Sequence, residues 1–365
     1  MSETATAEVA PAIAQAESVQ APTVIPTAEL PSISVYELID GEPVEVLDNS
    51  GLPAPVITTN TSGANQDPSL PTPIPTDIPP TPTATHTPMA TVPADTPTPA
   101  PTFTVPALPQ TSAEDHYWLL RPVEEGGIVW TNKTYSYGST RNGTLRTHHG
   151  VEFDVGYDTP IIAAADGIVV TAGLDVDADI VGPEPDFYGN VVVIEHDFSW
   201  QGEKIFTLYG HLNQVSVTKG QRVSMGDVLG LSGATGVADG PHLHFEVRQG
   251  SNDYANTRNP LLWLWPFPED GTLAGKVTFE NGALALEAPV SFRRIDGADA
   301  TVKTVTSYAE GAVNGDTVFQ ENFAADDVDA GYYEIWVKVG NQRYKQEVWV
   351  YPRTTTFVDI VIPNP

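Results

Sequence analysis

Six of the eight histidines in this 365-residue chain fall between His148 and His244, a density that asks for a common task. The segment Pro241-His242-Leu243-His244-Phe245-Glu246-Val247-Arg248 alternates as a strand does. His242, His244 and Glu246 would then project from one face, successive members about 6.5–7 Å apart. Two imidazoles on one wall can share a small site, one ligating a metal while its neighbour acts as acid, base or oxyanion donor. Upstream stands Arg146-Thr147-His148-His149-Gly150-Val151-Glu152-Phe153-Asp154. A straight strand would hold His148 and Glu152 ~13 Å apart, too far to meet on one ion. The chain must therefore bend between them, and Gly150 is the residue that permits it. A helix would also bring i and i+4 together, but Gly150 and the run from Val151 to Val155 argue against one. Asp154 faces the same way as Glu152 in an extended stretch and stands as a second candidate oxygen ligand. Glu246, and more weakly Arg146, are candidates to orient these groups, the other reading of Glu246 being an ordinary solvent-facing strand residue. His149 reads as a groove-wall or surface residue, and His86, His116 and His196 as structural or solvated.

The elements that must carry these side chains are strands. Residues 161–170 and 189–196 are rich in branched residues and bounded by turn formers, and long periodic helices are absent. Folded sequence runs from residue 115 to 270. A composition change at Gly271 opens a second β-rich region, 271–365, in which Tyr333, Ile335, Val337 and Val339 share one face and Glu334, Trp336 and Lys338 the other. With strands over 348–351 and 357–361 it fits a small antiparallel sandwich. Residues 1–65 are rich in Ala, Pro, Thr and Glu, with one isolated β-like run over 32–39, and read as mostly disordered. Residues 66–114 are a Thr/Pro-rich linker in which extended polyproline-like backbone is favoured.

Composition narrows the function. Seventeen basic against forty-seven acidic residues give a formal charge of -30, which repels phosphate backbones and excludes a nucleic-acid partner. The first basic residue is Arg121, so the N-terminus lacks the basic segment of an export signal. Apolar runs such as Pro260-Leu261-Leu262-Trp263-Leu264-Trp265 are too short for a membrane span. With no cysteine there is no disulfide, Cys-ligated zinc or thiol nucleophile, and a metal site must be built from His and carboxylates. In the acidic stretch from Leu174 to Asp186 the spacing lacks the Gly and the terminal Glu of an EF-hand loop, and the stretch reads as a solvated loop or a groove rim. Tyr135, Tyr137 and Tyr188 are candidates for the groove or for the core.

Taken in order, Arg146-x-His148-x-Gly150-Val151-Glu152, Thr159-Pro160-Ile161, Ala164-Ala165-Asp166-Gly167, Tyr209-Gly210-His211-Leu212, Gly233-x-Thr235-Gly236 and Gly240-Pro241-His242-Leu243-His244-Phe245-Glu246 form a pattern. Over residues 117–250 it resembles the lysostaphin/LytM-type zinc endopeptidases. The resemblance implies an all-β chain with a largely antiparallel peptidase domain, and Zn2+ in an open groove held by His148, Glu152 and His244. It also implies catalytic His211 and His242, peptidoglycan cross-links as substrate and an extracytoplasmic location. The family's first acid is normally Asp, where this chain has Glu152. Glu keeps the charge and the oxygen donor and adds one methylene, which Gly150 and the strand must absorb.

The competing readings are a catalytically impaired domain of the same type that binds cell wall or activates an amidase, and a biotinyl- or lipoyl-like carrier. No Lys in a Met-Lys-Met-type turn supports the carrier. Region 271–365, around Asp329-Ala330-Gly331-Tyr332-Tyr333-Glu334-Ile335, is similar to carboxypeptidase-regulatory or transthyretin-like sandwiches, and no catalytic constellation appears in it.

Overall fold

The computed structural model describes residues 36–39, 42–45, 114–124, 126–176, 180–297, 300–309 and 313–365. The linker 66–114, except for its last residue, and His86 lie outside them, as does most of region 1–65. The chain divides into two units, Met1–Ala94 and Asp95–Pro365. In the first, β1 (Tyr36–Ile39) pairs antiparallel with β2 (Glu42–Glu45). The isolated β-like run expected over 32–39 therefore has a partner.

The second unit is all-β. Its first part carries β3 (Val151–Phe153), β4 (Pro160–Ile162), β5 (Gly167–Leu174), β6 (Asn190–Trp200), β7 (Glu203–Val215), β8 (Arg222–Val223), β9 (Val228–Ser232), β10 (Leu243–Gln249) and β11 (Thr257–Arg258). They form one antiparallel sheet in the order β11-β10-β7-β6-β5-β8, with β3 on β10 and β9 joining β4 to β7. The branched run 161–170, expected as one strand, is two. The chain turns at Ala163–Asp166, where Asp166 accepts from the Met225 amide at 2.7 Å. A Cβ on Gly167 would lie 2.3 Å from the Glu195 carbonyl, so only glycine lets β5 start there.

The remaining strands are β12 (Asp270–Phe279), β13 (Pro289–Arg294), β14 (Lys303–Thr306), β15 (Phe323–Asp329), β16 (Gly331–Val339), β17 (Gln342–Val350) and β18 (Thr355–Ile362). They build sheets ordered β15-β12-β18 and β14-β13-β16-β17, whose inward residues, among them Val277, Phe323, Ile360, Phe292 and Ile335, share one core. Tyr333, Ile335 and Val337 point into it, whereas Val339 is exposed. One pair departs from the antiparallel expectation: β18 runs parallel to β12. The chain crosses between the two sheets after β17 and so enters beside β12 in the same direction.

The main core is drawn from both parts. Phe153, Tyr209, Phe245, Trp263 and Leu119 cluster with Ala274, Phe319 and Ala324, each large side chain contributing about 1.5–3 kcal/mol by leaving water. Phe245 packs edge-on against Tyr209 and Phe153. Because strand side chains alternate, seating Phe245 and Phe153 in the core turns His244 and Glu152 to the opposite face. Among the described residues no helix is long and apolar enough to cross a membrane.

Candidate metal centre

The register of β3 on β10 places Glu152 directly opposite His244, and β7 places Gly210 on the other side of His244. His148 lies before β3, brought back by a bend at 149–150. Its backbone is clamped there: the Gly138 amide donates to the His148 carbonyl at 2.8 Å, and the His148 amide to Ser139 at 3.0 Å. Gly150 serves the bend by leaving room, because a Cβ on it would meet the Phe245 carbonyl at 2.4 Å and His244 Nε2 at 2.8 Å.

The result is a tight cluster. His148 Nε2 is 2.8 Å from Glu152 Oε1 and 3.2 Å from His244 Nδ1, and His244 Nδ1 is 3.1 Å from Glu152 Oε1. All three side chains are buried, and their candidate ligand atoms lie within 4.8 Å of one another. The donor set fits a zinc ion, two imidazoles and one carboxylate with room for a further ligand. Glu246 Oε1 accepts from His244 Nε2 at 3.0 Å, which in the neutral ring leaves a bare lone pair on Nδ1. That lone pair faces a carboxylate oxygen, an arrangement that a cation relieves. In the protein alone a proton does so: burial disfavours the charged ring, but Glu152 and Glu246 outweigh it and push His244 up to about 9. Burial likewise opposes ionised Glu152, yet the surrounding histidines hold its carboxyl well below the usual range.

His211 and His242 flank the cluster, their ring centroids 4.8 Å apart. His242 Nδ1 lies 2.8 Å from the Gly240 carbonyl, and its Nε2 is 3.0 Å from Glu152 Oε2. Gly210, the register partner of His244, faces the groove with it, so alternation alone would send His211 to the opposite face. Opposite β6 the register of β7 slips by one residue between Tyr209 and Leu212, and this bulge, with His211 at φ 62°, re-aims the ring. His211 Nδ1 donates to the Thr235 carbonyl at 2.8 Å, leaving Nε2 as a lone pair. Thr235 is itself pinned, its hydroxyl accepting from the Asn190 amide at 2.9 Å and donating to the Leu212 carbonyl at 2.8 Å. Burial, then the charges of His244 and His242, push His211 down to about 3.

A second layer holds the first. Glu246 is wholly buried, so its solvent-facing reading is overturned. Arg248 Nε donates to Glu246 Oε2 at 2.7 Å, Arg248 also reaches Asn252, and the Tyr188 hydroxyl donates to Glu246. Burial disfavours its charged form, but Arg248 and His244 keep Glu246 ionised. Tyr188 and Arg248 were missed as supports. Arg248 was readable, since it continues the every-second-residue series His244, Glu246.

Tyr135 stacks on His148 with centroids 4.0 Å apart, while Tyr137 is buried core. Asp154 is exposed and held by the Asn132 amide at 2.8 Å, outside the cluster. Arg146 pairs with Glu184 at 3.0 Å, not with the imidazoles. His149 is buried, bonded to Tyr254 and Thr257 and stacked on Tyr254. His116 and His196 are also buried, the first against Asp316 and the second against Thr207. Asp175, in the stretch read as solvated, is buried and accepts from the Val181 and Tyr188 amides. Asp177 and Asp179 lie outside the described residues.

Residues 146–257 match the model of peptidase family M23. Over 100 residues the chain is 40% identical to the peptidoglycan DD-endopeptidase ShyA of Vibrio cholerae, covering 27% of this chain and 20% of that protein. Over 187 residues it is 32% identical to the DD-carboxypeptidase/endopeptidase Mpg of Neisseria meningitidis, covering 49% and 38%. The match thus spans a fifth to under two fifths of these relatives. The catalytic domain of the antimicrobial peptidase lysostaphin from Staphylococcus simulans is 28% identical, covering 36% of this chain and 89% of that one, with a TM-score of 0.29. The resemblance read from the motifs holds over the matched stretch.

Proposed function

We propose that this chain, whose residues 146–257 form a peptidase family M23 domain, is a zinc-dependent endopeptidase that hydrolyses peptide cross-links of bacterial peptidoglycan. The observation that carries the reading is the convergence of His148, Glu152 and His244 to within 4.8 Å, with two further imidazoles beside them. His148 Nε2, His244 Nδ1 and a Glu152 oxygen would hold the ion. When bound, zinc supplies Lewis acidity toward a water molecule and toward the scissile carbonyl.

The chain's own groups do the rest. His211 presents a Nε2 lone pair because its Nδ1–H is committed to Thr235, and burial keeps the ring neutral. It is the base that takes a proton from water. His242, whose charged form Glu152 supports against the cost of burial, is the donor that steadies the oxyanion or protonates the leaving amine. Glu246 fixes the ring and tautomer of His244.

Glu152 in place of the family's Asp supports an active site, since its extra methylene leaves the carboxylate in contact with both imidazoles. The impaired-domain reading loses its motive. We further propose an extracytoplasmic location and division into the peptidase domain 115–270 and a transthyretin-like sandwich 271–365. Digestion of purified peptidoglycan with and without a chelator, with mass identification of the fragments, tests the function. New amine termini at cross-links that disappear on chelation are expected, and unchanged sacculi would overturn the reading.

A further inference from the structure

The His148 clamp does not stop at Gly138. The carbonyl of Gly138 accepts from the Ala309 amide at 2.8 Å, while its own amide holds the His148 carbonyl. A chain of backbone bonds therefore runs from the C-terminal part of the protein to a candidate metal ligand. Beside it, the Tyr308 ring lies flush on Gly138. A Cβ there would meet Tyr308 Cδ1 at 2.4 Å and Cγ at 2.6 Å, and Gly138 has φ 78°, so both space and conformation require glycine.

Tyr308 is held rigidly for this contact. It is buried, its hydroxyl donates to Glu321 at 2.7 Å and accepts from Asn259 at 2.8 Å, and its ring packs edge-on against Tyr137. A second line runs parallel. The Tyr137 hydroxyl lies 3.0 Å from the carbonyls of both Asn314 and Thr257, and the Thr257 hydroxyl is 3.0 Å from His149 Nδ1. The residues after 270 thus grip the 137–139 segment from two sides, and that segment grips the backbone of His148 at both its amide and its carbonyl.

We propose that the C-terminal region, through Tyr308, Ala309 and Asn314 between β14 and β15, buttresses the metal centre, with Tyr308 and Gly138 as positioning residues that set the place of His148. The role as metal support rests on the proposed reading of His148 as a ligand; the mechanical coupling does not. On this account the C-terminal region is part of the catalytic unit, and its removal costs metal affinity.

The test uses the full chain. Tyr308→Leu removes the flat wedge, and Ile335→Ala opens a cavity in the second core as a control for general destabilisation. Amide hydrogen exchange at His148 and Gly138 in metal-free protein reads the clamp, and zinc competition against a chromophoric chelator reads the site. Tyr308→Leu should speed exchange at both amides and weaken zinc binding by about tenfold or more. Ile335→Ala should lower the melting temperature with both readouts within about twofold of wild type. Should Tyr308→Leu not fold, Gly138→Ala makes the same test from the other side of the contact. Equal behaviour of the wedge variants and the control overturns the proposal. Failure of wild type to bind zinc would sink the metal reading while leaving the exchange result to decide the coupling.

Discussion

Glu152 and His244 face each other across the β3–β10 pair, the carboxylate 3.1 Å from Nδ1, while the far nitrogen of the same ring is held by Glu246 at 3.0 Å. One imidazole thus stands between two carboxylates of different standing. Glu152 shares the cluster with His148, and Glu246 is locked by Arg248 and Tyr188. From this asymmetry the proposed ligand, Glu152, is distinguished from its proposed support, Glu246.

Glu152→Gln keeps the shape of the side chain and removes the charge. Zinc affinity should fall at least about a hundredfold, more than the roughly 10–100-fold typical of an outer partner. Asp154→Asn should leave affinity and zinc content unchanged, because Asp154 is exposed and bonded to Asn132. Chelator competition on the two variants separates the two acids.

Glu246→Gln leaves His244 with a weaker acceptor and Arg248 as a buried cation without its carboxylate. Zinc affinity should drop about 10–100-fold, and stability by about 3–5 kcal/mol, as for other broken buried pairs. Chemical denaturation alongside metal titration checks both. An unchanged unfolding midpoint would contradict the described network.

His211→Ala and His242→Ala remove no proposed ligand. Each should retain zinc at wild-type stoichiometry while kcat on peptidoglycan fragments falls about 10²–10⁴-fold. Loss of zinc in either variant would reassign that histidine to the ion.

How much of this was legible depends on what each residue needed from distant sequence. The cluster was legible through the motif resemblance, which implied His148, Glu152 and His244 as ligands; spacing alone would hold His148 and Glu152 ~13 Å apart in a straight strand and asked only for the bend at Gly150. The pairing of Tyr188 with Glu246 was not, since it joins the entry of β6 to β10 through a bulged β7, and local patterning carries no register. Nor was the burial of Asp175: its acidic neighbours advertise solvent, whereas the amides of Val181 and Tyr188 turn it inward. The parallel β12–β18 pair escaped for a related reason, because alternation marks a strand and not its partner or direction.

His196, buried and pushed down to about 4 chiefly by burial, gives a pH dependence with a definite sign. Its folded value lies below its ordinary value of 6.5. Its contribution is therefore complete above pH 6.5 and is lost as pH falls toward 4. The loss is of order 3 kcal/mol at about 1.4 kcal/mol per pH unit. Urea midpoints measured across that window should fall less steeply for His196→Gln than for wild type.

The most direct measurement is the zinc X-ray absorption spectrum of the purified full chain beside that of Glu152→Gln. The account predicts one zinc with two imidazoles and oxygen donors at about 2.0–2.2 Å, and a changed first shell or lost metal in the variant. A wild-type spectrum without histidine scattering, or one that the substitution leaves untouched, would contradict it.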